Sequence, residues 1–186
     1  ADGKIDALAL ERKARLLAEA GQEASLLNTT ALLGGKTSAS EQLLQAALRT
    51  AAKNPDAAAS QLQNASSLNA EQGSWGWGVV GKQAAMNLSS LAPHYYAQAG
   101  SMQGWTEDML AWRVRADLRA GISAKRSDIL QTIAAMPRKM QQDPAWQYWK
   151  ARTLGAGGSK VEAAQAQKIY QALASPQGFY EMLALE

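Results

Sequence analysis

Apolar residues recur along this chain at the spacing of one helix face, three, four and seven positions apart. Ala7, Leu10, Ala14 and Leu17 form the first such stripe, on a helix predicted over residues 4–20 and ended by Gly21. A shorter helix is expected over 23–33, closed by Gly34-Gly35. A third spans 39–53, with Leu43, Leu44, Ala47, Leu48 and Ala51 inward. Asn54-Pro55 pairs a capping residue with a proline at the first helical position and opens a partner helix to residue 64. Asn69-Ala70-Glu71-Gln72 reads as a capping box for a helix to about residue 87.

The second half repeats this grammar. Ser89 or Ser90 is expected to cap a helix over roughly 91–99, and Thr106 a long helix to Ala120. Trp105, Met109, Trp112 and Ala116 form the apolar stripe of the latter, which Gly121 terminates. Residues 126–135 follow, with Ile129, Leu130 and Ile133 inward. Asp143-Pro144 opens a helix through Gly155, Ser159-x-x-Glu162 is a second capping box, and Ser175-Pro176 is expected to open the last helix. Trp77, Trp112 and Trp149 recur at intervals of 35 and 37 residues, each with a small residue one turn later: Gly81, Ala116 and Thr153. A period in this range marks stacked helix pairs. The predicted fold is therefore all-α: about eleven helices in tetratricopeptide-like antiparallel pairs, forming one α-superhelix or solenoid over residues 1–186.

Composition supports the class. Ala supplies about a fifth of the 186 residues, Val and Ile are scarce, and six Trp and five Tyr must provide much of the bulky core. Gly73, Gly76, Gly78 and Gly81 lie inside one predicted helix, which points to close packing beside Trp75 and Trp77. They follow no strand and lack the spacing of a phosphate-binding loop. No apolar run approaches the length needed to cross a bilayer, so no transmembrane segment is expected. The chain starts at Ala1, and its last residues continue an amphipathic pattern without a stop signal, so it is expected to be a piece of a longer protein.

Candidate chemistry is sparse. There is no Cys, and the single His94 has no metal-binding or catalytic companion nearby, so no metal or cofactor is expected. Glu107 and Asp108 sit in a first helical turn, where they oppose the helix dipole. The net charge of +3 is uneven: residues 105–155 carry nine basic and five acidic side chains. Arg115, Arg119, Arg126 and Arg152 line up along this stretch, with Arg138, Lys139 and Lys150 beside them. They read either as a solvated face with interhelix salt bridges or as a contact for an anionic glycan or acidic partner. The excess falls well short of the dense basic stripe of a nucleic-acid binder, and no such partner is expected. Trp75, Trp146 and Tyr148 fall off the Trp repeat phase and are therefore expected among the exposed aromatics.

Residues 143–186 read D-P-A-W-Q-Y-W-K-A-R-T-L-G-A-G-G, then E-A-A-Q-A-Q-K-I-Y-Q-A-L-A, then G-F-Y-E-M-L-A-L-E. This succession resembles the superhelical region of the soluble lytic murein transglycosylases. W-G-W-G-V-V-G at 75–81 and A-W-R-V-R-A-D-L-R at 111–119 look like it too. The likeness covers residues 69–186 and is weak over 1–68. The resemblance implies a periplasmic bacterial enzyme whose α-superhelix carries a C-terminal lysozyme-like domain. Such an enzyme cleaves the MurNAc–GlcNAc bond of peptidoglycan strands, giving a 1,6-anhydro product through a Glu that precedes a Ser. None of the nine Glu here is followed by Ser, so no catalytic residue carries over and the chain alone is expected to be inert. The alternative is a free-standing tetratricopeptide-like adaptor that binds a peptide or protein.

Overall fold

The computed structural model describes residues 6–35, 37–157 and 159–186, and is helical without strands among them. It divides into two compact units, residues 1–104 and 105–186, a division that the short connecting turns do not announce.

The first unit holds six helices: α1 (Ala7–Glu19), α2 (Glu23–Leu32), α3 (Ala39–Ala51), α4 (Pro55–Gln63), α5 (Ala70–Met86) and α6 (Ala92–Ala97). Residues 4 and 5, which the first expected helix included, lie outside the described residues. The capping chemistry acts as the sequence implies. Asn54 Oδ1 accepts the Ala57 amide at 3.0 Å with Pro55 at the first turn. Asn69 and Gln72 exchange side-chain-to-backbone bonds at 2.8 and 3.1 Å. Ser89 accepts the Leu91 amide at 3.2 Å and so lies two residues before the α6 cap, Leu91, which uses no side chain.

Each helix packs chiefly on those one or two places away in the chain: α1 on α2 and α3, α3 on α4 and α5, α5 on α4 and α6. This nearest-neighbour pattern is repeat-like. Leu44, Leu48, Val79, Val80 and Tyr96 are fully buried in the unit. Leu43, expected inward, lies at the surface. Two α5 glycines permit close approach. A Cβ on Gly76 would meet the Leu44 and Leu62 methyls at 3.0 Å, and one on Gly81 would meet the Tyr96 ring at 2.7 Å. Gly73 is different, since nothing stands within 4 Å of its would-be Cβ.

A buried polar cluster ties α1 to α3 and α5. Arg15, only 1% exposed, holds both Glu41 oxygens in a fork at 2.8 and 2.9 Å, and its Nη1 lies 2.8 Å from each Glu71 oxygen. Gln72 donates to Glu41 at 3.1 Å. Burial alone would depress the guanidinium's pKa, but the bonds and charges of Glu41 and Glu71 outweigh it and hold Arg15 protonated. Burial likewise favours a neutral Glu71, yet the Arg15 and Arg12 contacts keep its carboxyl below the usual range. Lys82 and Gln83 of α5 both reach Glu19 of α1, at 2.5 and 2.7 Å.

The second unit holds α7 (Glu107–Ala120), α8 (Ile122–Ala135), α9 (Arg138–Gln141), α10 (Pro144–Gly155), α11 (Lys160–Leu173) and α12 (Phe179–Leu183). Twelve helices among the described residues thus replace the expected eleven. The extra one is α9, a single turn after Pro137 held by Gln141, whose amide donates to the Met136 carbonyl at 2.7 Å. Helix α8 starts at Ile122 directly after Gly121, whose φ of 114° turns the chain, and non-helical backbone at Lys125 marks the expected start at residue 126. Helix α12 starts later than Ser175-Pro176 implied. Ser175 accepts the Gln177 amide at 3.3 Å, so the proline lies in a turn and extended Gly178 precedes the helix. Helix α8 packs on α7 and α10, and α10 in turn on α9, α11 and α12.

Candidate functional site

Helix α10 is the hub of the second unit. Tyr148 lies at its centre, with the rings of Trp149, Tyr180 and Tyr170 at 5.4, 5.6 and 5.9 Å. Phe179 stands edge-on to Tyr180 at 5.1 Å. The Tyr148 hydroxyl accepts a hydrogen bond from Arg152 at 2.9 Å. Burial raises the Tyr170 hydroxyl pKa and Tyr148 adds to the effect, while Arg152 opposes it.

The aromatics sort opposite to expectation. Trp75, Trp146 and Tyr148 are 2%, 8% and 5% exposed, not solvent-facing. Trp75 lies beneath the guanidinium groups of Arg15 and Arg12, 5.5 and 6.0 Å from their carbons. Trp146 and Tyr148 are covered because α10 has neighbours on several sides, so its buried surface exceeds one stripe. Of the repeating tryptophans only Trp77 is buried, stacked on Tyr95 at 6.2 Å, whereas Trp112 and Trp149 keep part of their rings accessible.

The Trp149 ring faces a cleft of about 310 Å³. Helix α7 contributes Arg115, Leu118 and Arg119 to it, α10 contributes Ala145, Trp146 and Trp149, and α12 contributes Tyr180. Exposed Arg115 lies over two rings: its guanidinium carbon is 4.9 Å from the Trp112 ring centre and 5.5 Å from that of Trp146. Among the described residues it forms no ion pair. The structure thus brings three expected site residues together, Arg115, Arg119 and Trp146. Arg126 is elsewhere, ion-paired to Glu162, whose carboxylate also accepts the amide of Ser159, the N-cap of α11. Arg152 and Tyr148 bond each other, and Trp75 belongs to the first unit. Trp149 and Tyr180 escaped the sequence reading, which assigned the repeat tryptophans to the core.

No protein-family model matches this chain, and no curated protein is significantly similar to it.

Other candidate chemistry stays dispersed. No group of three or more His, Asp or Glu among the described residues could hold a metal ion. No helix among them is long and apolar enough to cross a membrane. Exposed His94 lies beside Tyr95, and Glu107 and Asp108 are exposed in the first turn of α7.

The exception is Asp117, 2% exposed on α7. Burial raises its pKa to about 6; Arg113, 3.8 Å away, opposes this, and Asp128 reinforces it. Folding therefore favours its protonated form. The stability this contributes is complete below its unfolded pKa near 4 and is lost as pH rises through about 6. Asp117→Asn is expected to raise stability by about 1–2 kcal/mol at pH 7, with the advantage vanishing below about pH 4. Paired thermal melts of variant and wild type across pH 4–8 measure this directly, and a gain independent of pH contradicts it.

Proposed function

We propose that the chain is a non-catalytic superhelical scaffold segment of a periplasmic soluble lytic transglycosylase acting on peptidoglycan. The observation that carries the reading is the Tyr148 hub. The three motif segments of the resemblance, W-Q-Y-W, K-I-Y and G-F-Y, bring their rings into one cluster through Tyr148, Tyr170 and Tyr180. That gives a physical reason for the three motifs to occur together. The repeat-like packing of successive helices is in keeping with a superhelix. In this reading the catalytic Glu belongs to a separate lysozyme-like domain, and the scaffold holds that domain against glycan strands. The adaptor alternative has the helix pairing alone in its favour.

The gene downstream of Glu186 provides the test. A lysozyme-like segment containing Glu-Ser is the expected result, and a stop codon directly after Glu186 overturns the proposal. Pure chain incubated with sacculi should release no anhydro-muropeptides. Release of these products contradicts the non-catalytic assignment.

A further inference from the structure

We propose that the α7/α10/α12 cleft binds a carboxylate-bearing sugar, with Arg115 gripping the carboxylate and Trp149 supporting the ring. The inference deepens the murein reading and rests on it for the choice of sugar, while the site itself is argued from its side chains.

The cation comes first. A guanidinium held against two indole rings loses little freedom on binding, and its planar fork matches a carboxylate. Arg115 is so held, by Trp112 and Trp146, and among the described residues no carboxylate takes up its charge. Arg119 stands one helical turn further along the same cleft wall. The net positive charge of residues 105–155 makes the surroundings favourable to an anion.

The aromatic wall selects what carries the carboxylate. Half-buried Trp149 and Tyr180 offer flat, amphipathic ring surface beside the cation. The C–H face of a pyranose lies flat on such a surface while its hydroxyls remain in water. About 310 Å³ is the lower end of small-molecule sites, suited to one or two sugar rings. All three walls are helices, whose interior amides are already bonded along the helix, so the cleft offers no free backbone edge to an extended acidic peptide.

The experiment uses tryptophan fluorescence and calorimetry on the full chain, with N-acetylmuramic acid and N-acetylglucosamine as probes. These two sugars differ only in the lactyl ether that carries the carboxylate. Saturable binding of N-acetylmuramic acid, at least about tenfold tighter than N-acetylglucosamine, is the expected result. Arg115→Gln should abolish that preference, and Arg115→Lys, which keeps charge but loses the fork, should retain only part of it. Both variants are on an exposed position, and circular dichroism checks that they fold. Trp149→Leu should weaken both sugars alike. Equal affinity for the two sugars, no saturation by either up to about 10 mM, or tighter binding of an oligoglutamate peptide each overturns the inference.

Glucuronic acid against glucose separates this inference from the murein reading. If glucuronic acid binds as tightly as N-acetylmuramic acid and depends equally on Arg115, the carboxylated-sugar site stands whatever the gene beyond Glu186 encodes. If no sugar binds but a Glu-Ser lysozyme-like segment follows, the scaffold proposal stands and the cleft assignment fails.

Discussion

Arg15→Met is expected to destabilise the first unit by about 3–5 kcal/mol, the largest effect of any single substitution considered for this chain. The reason is what remains behind. Glu41 is 2% exposed and would keep a buried negative charge with only the Gln72 amide and its neighbours for company. Glu71 would also lose its strongest partner. Truncation of one partner exposes the full desolvation cost that the fork now offsets. The double variant Arg15→Met/Glu41→Leu should recover much of the loss, because well-packed apolar groups can replace a buried ion pair at little cost. Urea unfolding followed by circular dichroism measures both. A single-variant loss below about 1 kcal/mol, or a double variant no better than the single, rejects this account.

The second large effect comes from a methyl group. Gly81→Ala is expected to destabilise the chain by about 1–3 kcal/mol even after the gain in helix propensity. Its Cβ would sit 2.7 Å from the Tyr96 ring, which is itself almost wholly buried and has no room to retreat. Gly73→Ala on the same helix should instead stabilise by up to about 1 kcal/mol, since nothing occupies the space and propensity acts alone. Opposite signs from one substitution type on one helix are a sharp outcome. Thermal melts that show the same sign for both reject the close-packing account of Gly81.

These glycines also show how far sequence pattern reaches. Helix starts are local chemistry, and Asn54-Pro55, Asn69/Gln72, Thr106, Asp143-Pro144 and Ser159/Glu162 each cap the helix they were expected to cap. Ser175-Pro176 misled because the same two residues serve equally well in a turn, and Gly178 decided between them. Burial was less legible. Repeat phase assumes one inward face per helix, which holds for Met109 and Ala116 but not for α10, where Trp146, Tyr148 and Ala151 are all covered. The Arg15–Glu41 fork joins positions 26 apart, and no periodicity announces such a pair. In the cleft, Arg115 and Arg119 stood out by charge, whereas Trp146 was singled out for an exposure that it does not have. Trp149 was hidden by the very regularity that made the repeat visible.

The ties from α1 to α5 bear on the order in which the first unit assembles. Most of its helix packing closes short loops, because neighbours in space are neighbours in sequence. Short closures cost little entropy and form early. Arg15–Glu71 and Glu19–Lys82 instead bridge separations of more than fifty residues. They close much longer loops and are expected to engage after the intervening helices have stacked. Interactions formed after a folding transition state are felt on the way out, so weakening this polar clasp is expected to speed the opening of the unit more than it slows its formation, as a loosened latch would.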